Sequence, residues 1–325
     1  MKQISNKNNL TIIYLDQFAS SGIFESASIE WTKIKELIVE GFNNNQLICP
    51  LSAEHYIETS QKQQDKAVLL DSEFYKISGG YAFKSEIFIT SQLIISLIRK
   101  NNITLKTYMY DKIYENVLSN EENLKQFDTN KKLLNNKIEE ATIVVNEIRK
   151  IERNKKSDAT IKKEMFDAHK SISIYELISR LNNLLDDGHI YIRGVPFTSG
   201  DVPNWIDQII FQLTKKHRIT QKETRLLIKE LKINGFKNIP TLDIRTSLSA
   251  LISVQNKKET VNDQVDIMRI SSGLPMAEIL FTDKQRKSEI LELGLDKKYN
   301  TCVFNGTSTD LKAMTSKLKE LIFPE

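Results

Sequence analysis

The sequence predicts an α/β fold: a parallel sheet flanked by helices, interrupted by a large, mainly α-helical insertion. Three observations lead there. Short apolar, β-branched runs alternate with helical patterns at both ends of the chain, as in βαβ units. Between about residues 60 and 255 helical periodicity dominates and clear strands are scarce. Only 6 Pro and 11 Gly occur in 325 residues, too few for the many turns of an all-β protein. With 40% hydrophobic and 27% charged residues, the chain can bury a substantial core, which argues against global disorder.

The elements follow in order. TIIYL (11–15) reads as a buried strand that ends in Asp16. Residues 28–42 carry Ile29, Ile34, Leu37 and Ile38 close to helical spacing, with Gly41 as a stop. LICP (47–50) reads as a second strand, and Ser52 as the N-cap of a helix beginning AEHYIETS. In the insertion, residues 86–99 predict a buried helix, 110–155 a pair of long helices or a helical hairpin, and 153–164 a polar linker. Further helices are expected over 173–186, 203–214 and 220–233, with a strand or extended loop at 189–197. The α/β pattern returns with a helix at 261–274 and a strand at 278–283 that closes on Asp283. A helix at 284–295, a strand at 300–306 and a helix at 308–322, with Ser308 as its cap, complete the chain. The expected organisation is one discontinuous domain, 1–60 with 258–325, carrying a helical insertion over 61–257 that recognises substrate or partner.

Composition excludes several classes. Cys49 and Cys302 form neither a disulfide framework nor a zinc site; both lie in apolar runs, so buried free thiols in a reducing compartment are expected. The N-terminus lacks the apolar core of a signal peptide, and the longest apolar run, 87–98, is too short and too interrupted to span a bilayer. A cytoplasmic protein is the expectation. The formal charge of +4 favours a nucleic-acid partner only if positive charge is clustered. There is no P-loop. A haloacid-dehalogenase-like phosphatase needs a second Asp two residues after the first, and position 18 is Phe.

The acidic residues carry the chemistry. Asp16 and Asp283 both close predicted parallel strands, and sites in open α/β sheets form at that edge. Carboxylates held together repel one another unless a cation lies between them. Hard divalent ions such as Mg²⁺ or Mn²⁺ take oxygen ligands and suit phosphodiester hydrolysis. Glu54 and Glu58 share one helix face, as do Asp263 and Asp266.

IIYLD, CPLSAEHYIET, NDQVDIMRISSGLP and AEILFTDK together resemble the PIN family of nucleases over residues 9–60 and 258–322. That family places an Asp after the first strand, a Glu in an early helix, an Asp in a later helix and an Asp after a later strand. The resemblance implies Asp16, Glu58, Asp266 and Asp283 as catalytic, metal-holding acids. Glu58 lies six residues after Ser52 and matches the glutamate best; Glu54 competes, and Asp263 is an additional acid one turn before Asp266. The insertion exceeds anything in an ordinary PIN domain, so the chain looks like a large variant. The resemblance implies a metal-dependent endonuclease, with RNA favoured over DNA. By analogy at family level, the protein would be a toxin or phage-defence effector.

Each acid has a plainer reading. Asp16 serves equally as a cap or turn residue, Glu40, Glu54 and Glu58 as solvated helix charges, and Asp263 as a first-turn acid. Asp266, among apolar positions, and Asp283, after an apolar strand, resist it. His55 is expected to be packed or exposed rather than a ligand, and Tyr108, Tyr110 and Tyr114 to edge a core. Basic clusters are candidates for phosphate contacts: Lys215, Lys216 and Arg218 with Lys222, Arg225 and Lys229; Arg149 to Lys156; and Lys284, Arg286 and Lys287 beside Asp283. The alternative function is a PIN-like nucleic-acid-binding or protein-interaction module without catalysis. The long charged helices would suit pairing between chains.

Overall fold

The computed structural model of the chain describes residues 10–25, 28–52, 72–110, 139, 142–143, 146–147, 159–187, 205–255 and 258–323. β1 (Thr11–Leu15) is followed by α1 (Gln17–Phe24), α2 (Ile29–Asn43) and β2 (Leu47–Ile48). A helix over 72–78 (α3) leads into β3 (Ala82–Phe83), α4 (Glu86–Arg99), α5 (Leu105–Tyr108) and β4 (Met109–Tyr110). Then come α6 (Ala159–Asp187), α7 (Trp205–Phe211) with a π-helical turn (Gln212–Lys216), α8 (Gln221–Asn234), α9 (Pro240–Val254) and α10 (Val261–Gly273). β5 (Ile279–Phe281), α11 (Lys284–Glu292), α12 (Leu295–Tyr299), β6 (Cys302–Phe304) and α13 (Ser308–Ile322) end the chain.

These residues fall into two compact units: those within Met1–Lys84, Thr104–Lys131 and Ser272–Glu325, and those within Ser85–Ile103 and Lys132–Ser271. The first of these units runs on from the N-terminal segment through 72–84. Backbone pairing is the reason. The Cys49 amide donates to the Ile77 carbonyl at 3.0 Å, and Leu51 bridges Ala82, which ties 72–84 to the N-terminal segment. β3 then pairs antiparallel with β4. Two-residue strands leave no readable period.

The first unit is built on a parallel sheet in the order β2-β1-β5-β6. Ile13 pairs with Ile279, and Leu15 with Phe281, which in turn pairs with Phe304. Alternation sorts the faces. Ile13, Leu15, Ile279 and Phe281 join one core with Trp31, Ile34 and Ile38 of α2 and Leu311, Met314 and Leu318 of α13. Burying each such side chain stabilises by roughly 1.5–3 kcal/mol. Ile12, Tyr14 and Leu280 lie on the opposite face and are buried as well, which explains why β1 reads as a continuous apolar run.

Side chains close the helix starts. Ser28 caps α2 by accepting from the Trp31 amide. At α13 the cap is Thr307, not Ser308: Thr307 accepts from the Asp310 amide, and its own amide donates to Asn305 Oδ1, which sets the turn one residue earlier. Cys49 is buried and burial pushes its thiol up, whereas Cys302 is exposed because β6 forms the sheet edge. The expected polar linker over 153–164 is helical from Ala159 onward, as α6 begins there. The paired helices or hairpin expected over 110–155 and the strand expected at 189–197 lie mainly or wholly outside the described residues.

The second unit is helical. α9 is buried along nearly its whole length, so its polar residues need partners. Arg245 Nε donates to Glu86 Oε1 of α4 at 2.7 Å, in a pair buried at both ends. Thr241 and Thr90 share a hydrogen bond of 2.7 Å, and Lys170 of α6 donates to Ser247 at 2.8 Å. α6 and α4 pack on α9, and α8 packs on both of them. No described helix is long and apolar enough to cross a membrane.

Candidate metal centre

β1 and β5 lie side by side, but the chain leaves them in opposite directions along the sheet: β1 leads to β2 and β5 to β6. A crevice opens beyond the carboxyl ends of two strands whose connections diverge in this way. Asp16 directly follows β1, and Asp283 follows β5 by one residue, Thr282. The Asp16 amide donates to the Phe281 carbonyl at 3.1 Å, which ties the two strand ends together. Thr282 Oγ1 stands 3.5 Å from Asp16 Oδ2.

The two aspartates are held differently. Asp16 occupies the N-cap position of α1, yet its carboxylate makes no capping hydrogen bond there. It is only 7% exposed. Asp283 caps α11: its Oδ1 accepts from the Gln285 amide at 2.7 Å and the Arg286 amide at 2.9 Å. Both helices begin at this edge, and their N-terminal partial charges favour anions.

Asp266 arrives on α10. The last turn of that helix packs on β1, where a Cβ at Gly273 would lie 2.8 Å from the Tyr14 ring. The Tyr14 hydroxyl donates to Ser52 Oγ at 3.1 Å, and its ring meets Phe83 edge-on at 5.3 Å. Asp266 stands two helical turns before Gly273. One carboxylate oxygen from each of Asp16, Asp266 and Asp283 lies within 4.8 Å of the others. Arg269, one turn along α10, donates to Asp266 in a buried ion pair.

This donor set fits a hard divalent cation. Octahedral ligands at 2.0–2.1 Å stand about 3 to 4 Å apart, so small side-chain rotations bring three oxygens onto one Mg²⁺ or Mn²⁺.

Other expected site residues divide. Asp263 accepts from the Thr260 amide at 2.6 Å and hydroxyl at 2.7 Å, so it closes the start of α10 and is not one of the three grouped acids. Glu54, Glu58, His55 and Tyr114, with the basic run Arg149 to Lys156, lie outside the described residues. Arg286 does not reach solvent for a phosphate: it is buried and paired with Glu289 on α11. Lys287 pairs with Asp310 and stands over the Phe304 ring, while Lys284 is exposed. Lys215, Lys216 and Arg218 are exposed in the second unit. Tyr108 is buried core, and burial pushes its phenol up.

Two residues at the same edge of the sheet escaped sequence reasoning. Phe18, in the first turn of α1, is 53% exposed and lies so close to Gly306 that a Cβ there would meet its ring at 2.6 Å. Asn305 follows β6, the strand next to β5, and is buried. A polar residue directly after a strand was the available signal for Asn305. Nothing in the sequence marks Phe18, since an apolar residue in a short helix usually faces the core.

No protein-family model, no curated protein and no solved structure matches this chain.

Proposed function

We propose that the protein is a metal-dependent endonuclease of PIN-like type, with RNA as the favoured substrate. The observation that carries this reading is the grouping of Asp16, Asp266 and Asp283 at the carboxyl edge of two adjacent strands with diverging connections. Asp16, Asp266 and Asp283 would hold Mg²⁺ or Mn²⁺, and Glu58 or Glu54 would add a further oxygen. When bound, the ion would polarise water and offset the charge that builds on the scissile phosphate. The chain's own contribution is to carry these oxygens after β1 and β5, on Asp16 and Asp283, and within α10, on Asp266. The N-termini of α1 and α11 temper the repulsion among them.

The decisive experiment incubates purified protein with total RNA, transfer RNA, single-stranded DNA and duplex DNA, in Mn²⁺ or in EDTA. RNA cleavage is expected in Mn²⁺ alone, and Asp16→Asn is expected to abolish it with an unchanged circular dichroism spectrum. Wild-type rates in Asp16→Asn would sink the assignment.

One observation favours a second reading, a non-catalytic binding module. Asp266 is paired with Arg269, and Asp283 caps α11, so both carboxylates have structural work without an ion. Calorimetric titration with Mn²⁺ separates the two: no heat of binding supports the module, while saturable binding lost in Asp16→Asn supports the nuclease.

A further inference from the structure

Positive charge is concentrated in one stretch of the second unit. Residues 215–232 hold seven lysines and arginines against two glutamates, an excess of five, while the whole chain carries only +4. Both glutamates are engaged. Glu223 pairs with Arg99 of α4 at 2.7 Å and closes the capping box of α8, and Glu230 accepts from Asn234 and Asn238. Lys222, Arg225, Lys229 and Lys232 are all exposed on α8, and no ion pair engages them among the described residues. At 1.5 Å per residue they span about 15 Å of helix.

The approach to α8 is built the same way. Lys215 and Lys216 are exposed at the end of the π-helical turn, a rare geometry that recurs at functional sites. Arg218 then takes φ +49°, in the left-handed region where glycine is at ease and other residues are strained. The backbone is locked there: the His217 amide donates to the Gln212 carbonyl, the Ile219 amide to the Leu213 carbonyl, and Arg99 to the His217 carbonyl at 3.0 Å. Lys100, next to Arg99, is also exposed and left-handed at φ +56°. The His217 imidazole is held below its ordinary range by burial first, and then by the charges of Lys216 and Arg99. A strained position is thus occupied by a cation, within a run of cations that no ion pair compensates along α8 among the described residues.

We infer that the end of the π-helical turn and the exposed face of α8 form a docking surface for a polynucleotide phosphate backbone, engaged through Lys215, Arg218, Lys222, Arg225 and Lys229. A polymer of closely spaced negative charge gains most from such a face, because each contact releases condensed counterions. Backbone contacts carry no sequence information, so the surface takes RNA and single-stranded DNA alike and leaves selection to other residues. This deepens the nuclease reading, and rests on it for the class of polymer, by naming where the strand is held.

The test is binding of a fluorescent single-stranded RNA oligonucleotide by the full chain in EDTA, over a series of salt concentrations. Measured this way, binding does not depend on the acidic centre. The expected result is strongly salt-dependent binding that Asp16→Asn retains. In the triple variant Lys222→Gln, Arg225→Gln, Lys229→Gln, affinity should fall at least roughly tenfold, and the log–log salt slope should shrink by about 2. Arg218→Gly should raise the thermal midpoint while weakening RNA binding, an opposition that a purely structural role does not produce. Wild-type affinity and slope in the triple variant would overturn the inference, as would binding to phosphatidylserine vesicles with none to RNA. Loss of cleavage in Asp16→Asn with retained binding supports both readings; normal cleavage in Asp16→Asn with binding lost in the triple variant removes only the nuclease assignment of the acids.

Discussion

Asp283 does two things that a substitution can separate. As the cap of α11 its carboxylate takes two backbone amides, and as one of the three grouped acids it faces Asp16 and Asp266. Asparagine caps as well as aspartate but is a poorer cation ligand, whereas alanine does neither. Asp283→Ala is therefore expected to lose about 1 kcal/mol of stability, within the 0.5–2 kcal/mol typical of a lost cap. Asp283→Asn should unfold in urea like the wild type and still lose Mn²⁺ binding. Equal stability of the two variants would show that the cap contributes nothing. Asp16 differs: its carboxylate makes no capping hydrogen bond, so its replacement by asparagine leaves the start of α1 uncapped as before. The sequence offers the cap reading for Asp16 and not for Asp283; the structure reverses this, because both residues follow a strand and precede a helix and only the folded turn decides which carboxylate meets the amides.

At the scale of elements, the contact that matters most for the site is the seat of α10 on β1. Gly273 allows the helix backbone to approach the Tyr14 ring, and a methyl group there would intrude to 2.8 Å. Gly273→Ala gains at most about 1 kcal/mol of helix propensity, but overpacking typically costs 1–3 kcal/mol. The balance predicts a net loss of up to about 2 kcal/mol in urea unfolding, together with weaker Mn²⁺ binding as Asp266 is displaced. Unchanged or raised stability would contradict this close packing. The sequence marks Gly273 only as a helix stop. That it is also a contact point depends on which strand lies beneath it, and no local pattern states that. The same holds for α9, whose buried Arg245 is explained only by Glu86, 159 residues away in sequence.

Across the whole molecule, pH reads the two units separately. In the second unit, hydrogen bonds from Arg99, and then from the Thr220 backbone, hold Glu223 down at about 2, against an ordinary value of 4.5. A lowered acid contributes stability that is present above 4.5 and is lost as pH falls from there toward 2. Glu223 is close to solvent, so the effect is small. In Glu223→Gln, the difference in thermal midpoint between pH 6 and pH 3 should shrink. In the first unit, burial raises Glu278, opposed by its hydrogen bond from the Ile12 amide. Its contribution has the reverse sign: it is complete below 4.5 and is lost as pH rises through the raised value. Glu278→Gln should therefore flatten the neutral side of the stability profile, and an unchanged profile would count against that assignment.

Much of this was readable from the chain itself. The strand of residues 11–15, the helix Ile29–Asn43 and the C-terminal alternation ending at Ile322 follow from local periodicity, which acts over a few residues. The same local logic pointed to Asp16, Asp266 and Asp283 as acids in unusual positions. Tertiary structure decided the rest. It alone sets the order β2-β1-β5-β6, brings positions 16 and 283 to adjacent strand ends, and groups Asp266 with them. It likewise buries Arg286 against Glu289 and leaves the cations of α8 unpaired among the described residues. The physical reason is range. Propensity and amphipathic period are properties of neighbours in sequence, whereas pairing register, close packing and the neutralisation of charge belong to residues that meet only once the chain has folded.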